Sequence, residues 1–144
     1  MRKPFPKKTV LIAIMVIVSI YVPTISSDET GLGTFSITLY VGGTGPGNYT
    51  TIQSAVNDAS NGDTVFVYNG TYYETLAIGK SIDLVGEDKY TTILDGDFVY
   101  EDVIHINCGF VNISSLTITN SGMNGISFLG ENNLHFTNNI IKNN

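Results

Sequence analysis

Residues 104–119 read IHINCGFVNISSLTIT, and residues 126–142 read ISFLGENNLHFTNNIIK. Both stretches carry the same alternating apolar pattern, one repeat apart. Ile126/Phe128 repeat Ile104/Ile106, and at an interval that is longer by one, Leu134, Phe136 and Ile141 repeat Val111, Ile113 and Ile118. Short alternating runs that recur about every 20–25 residues are typical of a solenoid in which each period forms one turn.

The same x-apolar-x-apolar pattern starts further upstream, at Val65/Val67, Leu76/Ile78 and Ile82/Leu84. Ile82/Leu84 precede Ile104/Ile106 by the same interval that separates Ile104/Ile106 from Ile126/Phe128. Like residues of neighbouring turns would then stack about 4.8 Å apart. We therefore predict an all-β, right-handed parallel β-helix whose inward, stacked side chains include Ile82, Leu84, Ile104, Ile106, Ile126 and Phe128.

Two other architectures explain this period less well. A leucine-rich horseshoe requires an L-x-x-L-x-L pattern and a helix in each repeat, and the sequence has neither. A β-sandwich explains the strands but not their return in register. Asn120 and Asn143 are separated by the longer of the two intervals, which predicts a stacked asparagine at one corner of the solenoid.

One short helix is predicted over residues 50–61, because Ile52, Ala55, Val56 and Ala59 share a helical face. Thr50 and Gln53 have capping-box spacing, and Gly62 is placed to end the helix. A helix with one apolar stripe must cover an apolar surface. We expect it to close the N-terminal end of the strand stack.

The residues before this helix predict a linker over 27–37 and then an opening strand. In this strand Ile37, Leu39 and Val41 alternate with Thr38 and Tyr40. The glycine-rich run 42–47 that follows lacks the lysine of a phosphate-binding loop and predicts a turn.

Residues 1–26 predict a secretory signal peptide or an N-terminal membrane anchor. A basic start precedes an uncharged apolar run over residues 9–22, which is short for a membrane span of about 20 residues. Pro23 and the small residues after it predict a cleavage site, and residues 9–22 would contact the membrane if cleavage did not occur. Both alternatives place the remaining chain outside the cytoplasm.

Charge limits the partners of the exported part. The whole chain has a net charge of −6, and residues 1–26 hold four of its seven cations and none of its 13 acids. The rest of the chain therefore has a net charge of −10 and contains no arginine. Such a surface excludes nucleic acid as a partner, and it repels anionic polysaccharide unless a cation intervenes.

Five short motifs resemble the N-terminal opening of right-handed parallel β-helix proteins, among them NosD-like and pectin-lyase-fold surface proteins. They are GNYTTIQSAV (47–56), GDTVFV (62–67), GTY (70–72), KSIDLVGE (80–87) and ILDG (93–96). The resemblance covers about residues 38–144. It implies the fold specifically and the function weakly, because the family includes lyases, esterases, hydrolases and non-catalytic surface proteins.

The candidate catalytic residues form no complete set. Uronide-cleaving β-helix enzymes combine acids with an Arg or Lys, and the exported part offers only Lys80, Lys89 and Lys142. Lys80 is predicted at a solvated corner. We expect no lyase, esterase or glycosidase activity from this segment.

Metal binding has one candidate cluster. Asp95, Asp97, Glu101 and Asp102 are the densest group of acids, and calcium takes oxygen ligands of this kind. The alternative is a solvated acidic loop.

His105 and His135 are both predicted to point outward, and their separation along the chain does not match the repeat, so they should neither stack nor hold copper. Cys108, the single cysteine, is predicted to be a small buried apolar residue.

Two sets of surface residues are candidates for carrying or binding carbohydrate. Asn48, Asn69 and Asn112 begin N-x-[ST] sequons and are candidates for glycosylation, although their number is close to what chance predicts. Outward tyrosines on one face would suit the C–H faces of sugar rings. The tyrosines considered are Tyr68, Tyr72, Tyr73, Tyr90 and Tyr100.

These patterns together favour an exported or cell-surface β-helix module that binds polysaccharide or cell-envelope components, or that serves as a scaffold. The alternative is the N-terminal part of a polysaccharide-active enzyme whose catalytic coils lie elsewhere. We also expect 38–144 to be part of a longer β-helix, with further coils or a partner at its C-terminal end.

The targeting hypothesis predicts that the domain lies outside the cytoplasmic membrane. Fractionation of cells that express a C-terminally tagged chain should recover the tag outside the cytoplasm. A soluble cytoplasmic pool that retains residues 1–26 would refute it.

Overall fold

The computed structural model describes residues 35–130 and 133–144, so the predicted signal or anchor segment and most of the linker lie outside the described residues. The described part forms one helix and twelve strands. In chain order they are β1 (Thr38–Val41), α1 (Ile52–Asp58), β2 (Thr64–Val67), β3 (Gly70–Tyr73), β4 (Leu76–Ile78), β5 (Ile82–Gly86), β6 (Thr92–Asp95), β7 (Ile104–Ile106), β8 (Phe110–Ser114), β9 (Thr117–Thr119), β10 (Ile126–Phe128), β11 (Asn133–Thr137) and β12 (Ile140–Lys142).

The strands form three parallel sheets that run along a solenoid of about four turns. Sheet A has the order β1-β2-β5-β8-β11, sheet B has the order β3-β6-β9-β12, and sheet C has the order β4-β7-β10. Each coil contributes to the sheets in turn, and each strand pairs with the corresponding strand of the next coil. The predicted parallel β-helix is confirmed.

The register confirms both repeat intervals in the second half of the chain. Ile104 and Ile106 pair with Ile126 and Phe128, as the shorter interval predicts. The longer interval is the offset between β8 and β11 and between β9 and β12.

The match between Ile82/Leu84 and Ile104/Ile106 is a coincidence, and the predicted stacking of these two pairs is wrong. Ile82 pairs with Val111 instead, because β5 belongs to sheet A and β7 to sheet C. The loop between β6 and β7 adds residues to this coil. Sheet C runs from Leu76/Ile78 through Ile104/Ile106 to Ile126/Phe128.

The core consists of aliphatic side chains that alternate with outward polar ones. Ile82, Leu84, Ile104 and Ile106 are buried as predicted, and Ile126 is partly buried against them. Phe128 is 56% exposed although it is in register with Ile106, since no described strand lies on its other side. The opening strand begins at Thr38, so Leu39 and Val41 are buried and Ile37 remains exposed.

Helix α1 packs against β1, β2 and β4, where it takes the place of a strand beside β4. The Gln53 side chain makes the two hydrogen bonds that a neighbouring strand would make: Ala77 N donates to its Oε1 (2.8 Å), and its Nε2 donates to Ala77 O (3.2 Å). The predicted role of the helix as an end cap is thereby explained. An edge strand left unpaired would expose a row of backbone groups.

Charged residues from the second coil hold both ends of α1. The Glu74 carboxylate accepts from Ile52 N (2.8 Å) and Gln53 N (2.9 Å) at the N-terminus. At the C-terminus, Lys80 Nζ donates to the Asn57 and Ala59 carbonyls at 2.5 and 2.6 Å. The signs of both charges suit the helix dipole. Lys80 is therefore not the solvated corner that we predicted.

The predicted capping box is displaced by one residue. The N-cap is Thr51, whose hydroxyl accepts from Ser54 N, and Gln53 is committed to the edge of β4. The helix ends at Asp58, before Gly62, whose positive φ of 94° serves the following turn.

Asparagines occupy two corners of the last coil, and each follows by the longer repeat interval the residue whose backbone nitrogen donates to it. Asn139 Oδ1 accepts from Leu116 N and its Nδ2 donates to Ile113 O; Asn144 makes the same pair of bonds to Ser121 N and Ile118 O. These side chains continue the backbone ladder where the chain turns. Asn120 and Asn143 both have the left-handed conformation, and Asn120 binds the carboxylate of Asp95.

The stacked core makes a specific prediction about Ile106, which is fully buried between Ile78 and Phe128. Ile106→Asp should lower the free energy of unfolding by several kcal/mol, because a buried carboxylate has no compensating partner there. Chemical denaturation followed by circular dichroism measures the loss. Asn107→Asp, at the exposed neighbouring position, is the matched control. A loss below about 1 kcal/mol for the Ile106 variant would contradict the packing.

Asp63 should make the free energy of unfolding depend on pH. This buried carboxylate accepts from Ile37 N (2.9 Å) and Ser60 N (2.8 Å), and these backbone donors hold its pKa below the usual value. A carboxyl with a lowered folded pKa contributes stability above its unfolded pKa and loses that contribution as the pH falls through the folded pKa. The difference in unfolding free energy between the unsubstituted protein and Asp63→Asn should therefore have its largest value at pH 7. It should shrink as the pH falls below about 3.9. A difference that is independent of pH would contradict this role.

Candidate functional site

The outer face of sheet C carries one column of residues that are in register. Ala77, His105 and Ser127 pair across β4, β7 and β10. They point outward because they alternate with inward apolar residues on each strand. The outward position predicted for His105 is confirmed, and the register brings Ser127 into contact with it.

A third polar residue, Asp102, joins this column from the loop that precedes β7. Ser127 Oγ donates a short hydrogen bond to Asp102 Oδ2, and His105 Nδ1 lies 2.8 Å from the same hydroxyl. The other Asp102 oxygen accepts from the backbone and side-chain nitrogens of Asn124 at 3.1 and 2.8 Å. Asp102, Ser127 and His105 therefore form a continuous hydrogen-bonded relay.

The relay keeps Asp102 ionised. The hydrogen bond from Ser127 contributes most to lowering the pKa of this carboxyl, and the Asn124 side chain contributes next. Partial burial opposes the shift but does not reverse it. Asp102 Oδ2 also lies 3.9 Å from His105 Nδ1, so the serine hydroxyl is the main connection between the two residues.

The direction of the relay assigns the histidine tautomer. Because the Ser127 proton is directed to the Asp102 carboxylate, its oxygen is free to accept from His105 Nδ1–H. Nδ1 is therefore the protonated nitrogen of the neutral ring, as inferred from the hydrogen-bond network. Nε2 is then unprotonated, and it is the ring nitrogen left for a ligand.

His105 lines an open groove of about 540 Å³. The groove is bounded by α1 and by the β6–β7 loop, and its side chains mix apolar, aromatic and hydrogen-bonding groups. Its lining residues are Gln53, Thr75, Leu76, Ala77, Tyr100, Glu101, Asp102, His105 and Met123. Tyr100 is 82% exposed, so its ring is available to a ligand. We call this the sheet C groove.

A second groove of about 310 Å³ lies on sheet A and includes His135. There, Asp83, Asn112 and His135 form an outward column in register, and Asn112 Nδ2 donates to Asp83 Oδ1. The two histidines thus lie on different sheets and do not stack, as predicted.

Three of the four acids proposed for calcium accept hydrogen bonds through their carboxylates from different donors. Asp95 binds the Asn120 amide and accepts from Asp97 N, whereas Glu101 accepts from the Thr75 hydroxyl (3.3 Å) and Asp102 belongs to the relay. Within residues 35–130 and 133–144, no group of three or more His, Cys, Asp or Glu side chains is arranged to hold a metal ion. The calcium site stays a prediction.

The five tyrosines do not form one platform. Tyr72 is half-buried, its hydroxyl donates to Tyr68 O (2.9 Å), and burial raises its pKa. Tyr68 instead packs with Tyr40 and Phe66 on the outer face of sheet A. The exposed rings are those of Tyr73, Tyr90 and Tyr100, and only Tyr100 lines the sheet C groove.

Two of the three sequon asparagines have structural partners for their side-chain amides. Asn48 Nδ2 donates to Gly42 O, and Asn112 donates to Asp83. Asn69 is exposed. Glycosylation of the three asparagines stays a prediction.

Cys108 is half-buried against the core rather than fully buried. Its thiol donates to Lys80 O, and burial raises its pKa.

No protein-family model matches the chain, and no curated protein is significantly similar to it. None of the helices in the described residues is both long enough and apolar enough to cross a membrane.

Part of the relay was predictable from the repeat. The interval that aligns Ile104 with Ile126 also places Ser127 beside His105. We predicted only the outward direction of His105 and did not predict its contact with Ser127. The same interval separates Asp102 from Asn124, whose two nitrogens donate to it, but the repeat does not indicate the contact of Asp102 with Ser127.

Proposed function

We propose that this chain is an extracytoplasmic parallel β-helix module that binds a neutral polysaccharide in the sheet C groove. The observation that carries the proposal is an exposed aromatic ring, Tyr100, in the same groove as the polar groups Thr75, Asp102 and His105. An aromatic face with hydrogen-bonding groups beside it suits a sugar ring, which has apolar C–H faces and a polar rim.

Charge supports a neutral ligand over an acidic one. Glu101 and Asp102 line the groove, and the chain beyond residue 26 has a net charge of −10. A uronate chain would be repelled at this site. An extracytoplasmic location is supported by the basic and apolar composition of residues 1–26. The motif resemblance to NosD-like and pectin-lyase-fold surface proteins agrees with such a location.

Binding should be tested by affinity electrophoresis and calorimetry of the purified full chain. We expect it to bind a neutral glycan such as acetylated xylan or β-glucan, and to bind polygalacturonate much more weakly. Tyr100→Ala should weaken binding by about tenfold or less, given the energy of an aromatic contact and about 1.4 kcal/mol per tenfold in affinity.

Tyr90→Ala is the matched control, because Tyr90 is 69% exposed but lies outside the groove. Equal losses in the two variants would show that the sheet C groove is not the binding site. Failure to bind any neutral glycan would refute the proposed function.

A further inference from the structure

The relay has the residue types of a hydrolytic Ser-His-Asp triad but a different order. In a triad the histidine lies between the other two residues and takes the proton of the serine. Here Ser127 lies between Asp102 and His105 and gives its proton to the carboxylate. Ser127 is therefore not placed to act as a nucleophile.

This order of residues instead orients the imidazole of His105. Its Nδ1 is held by a hydroxyl that is itself fixed by an ionised carboxylate, so the plane and tautomer of the imidazole are both set. The side chain is 39% exposed and lines the sheet C groove. An oriented imidazole with an unprotonated Nε2 beside a ligand groove is the arrangement that general-base catalysis requires.

We propose that His105 Nε2 is the general base that hydrolyses acyl ester substituents on the neutral polysaccharide, an inference that rests on the proposed function. Nε2 takes a proton from a water molecule as its oxygen attacks the ester carbonyl. The tetrahedral intermediate then breaks its bond to the sugar oxygen. That oxygen leaves with the proton from the imidazolium, and a carboxylic acid is released.

Other reactions that use a base fit the groove less well. Removal of the α-proton of a uronide needs a cation to balance the sugar carboxylate, and Lys80 is already committed to the carbonyl groups at the end of α1. Glycoside hydrolysis needs a protonated carboxylic acid. The two carboxyl groups that line the groove instead accept hydrogen bonds, Asp102 from Ser127 and Asn124, and Glu101 from Thr75. Ester hydrolysis can be driven by a single general base that activates water, so it fits the groove best. This proposal replaces our expectation from the sequence that the segment has no esterase activity.

Within this mechanism, Ser127 and Asp102 are positioning residues. They touch His105 or each other through the relay, and their effect on the rate passes through the orientation and tautomer of the imidazole. Ser127→Ala should therefore reduce kcat and should also change the pH dependence of the rate, while leaving the affinity for the polysaccharide nearly unchanged.

The test measures acetate release from acetylated xylan, and hydrolysis of p-nitrophenyl acetate, by the purified full chain. His105→Gln should lower both rates by at least about 100-fold, because general bases contribute about 10²–10⁴. Its affinity for the xylan should fall far less than either rate. His135→Gln is the matched control: it removes an exposed imidazole outside the sheet C groove, and both rates should be unchanged.

Three results would overturn the inference: no acetate release by the unsubstituted protein, equal rates for His105→Gln and the unsubstituted protein, or equal losses in both histidine variants. Xylan binding without turnover would overturn the catalytic role alone and leave the proposed function intact. Turnover of p-nitrophenyl acetate that depends on His105, without binding of any glycan, would instead refute the proposed function.

Discussion

Parallel pairing between strands of successive coils fixes the direction of the strand side chains in the part of the chain that the structure describes. Each strand has an alternating pattern, so a shift of one residue would move apolar side chains from the core to solvent. The register therefore has a large energetic consequence, and it is repeated on three sheets. Helix α1 continues this pairing at the N-terminal end of the solenoid, because the Gln53 side chain bonds to Ala77 as a neighbouring strand would. Glu74 and Lys80 bind the two ends of the helix.

The same register builds the candidate site. His105 and Ser127 meet because β7 and β10 are neighbours in sheet C. Both point outward because His105 lies between the buried Ile104 and Ile106, and Ser127 is in register with His105. The β6–β7 loop then supplies Asp102 and Tyr100 at the edge of that sheet. A regular scaffold thus presents one column of side chains, and a single irregular loop converts that column into a groove with an oriented imidazole.

Much of this fold could be predicted from the sequence, since apolar alternation and repeat intervals report directly on register. The failures have physical causes. The match of Ile82 to Ile104 was accidental because the β6–β7 loop lengthens one coil, and a period alone does not say which sheet a strand joins. Lys80 was assigned to solvent because its partners, the carbonyls of α1, lie on the preceding coil and far from it in sequence. Within the site, the contact between His105 and Ser127 could be predicted from the repeat, whereas the groove depends on a loop whose path no period encodes.

Spin labels test the register most directly. On the outer face of sheet C, positions 77 and 127 are two strands apart, with His105 between them, so labels there should be about 10 Å apart. If Ile82 stacked on Ile104 instead, position 83 would take that place. In a Cys108→Ser background, continuous-wave electron paramagnetic resonance should show strong dipolar broadening for labels at 77 and 127 and weak broadening for labels at 83 and 127. The reverse result would contradict the register on which both the fold and the site depend.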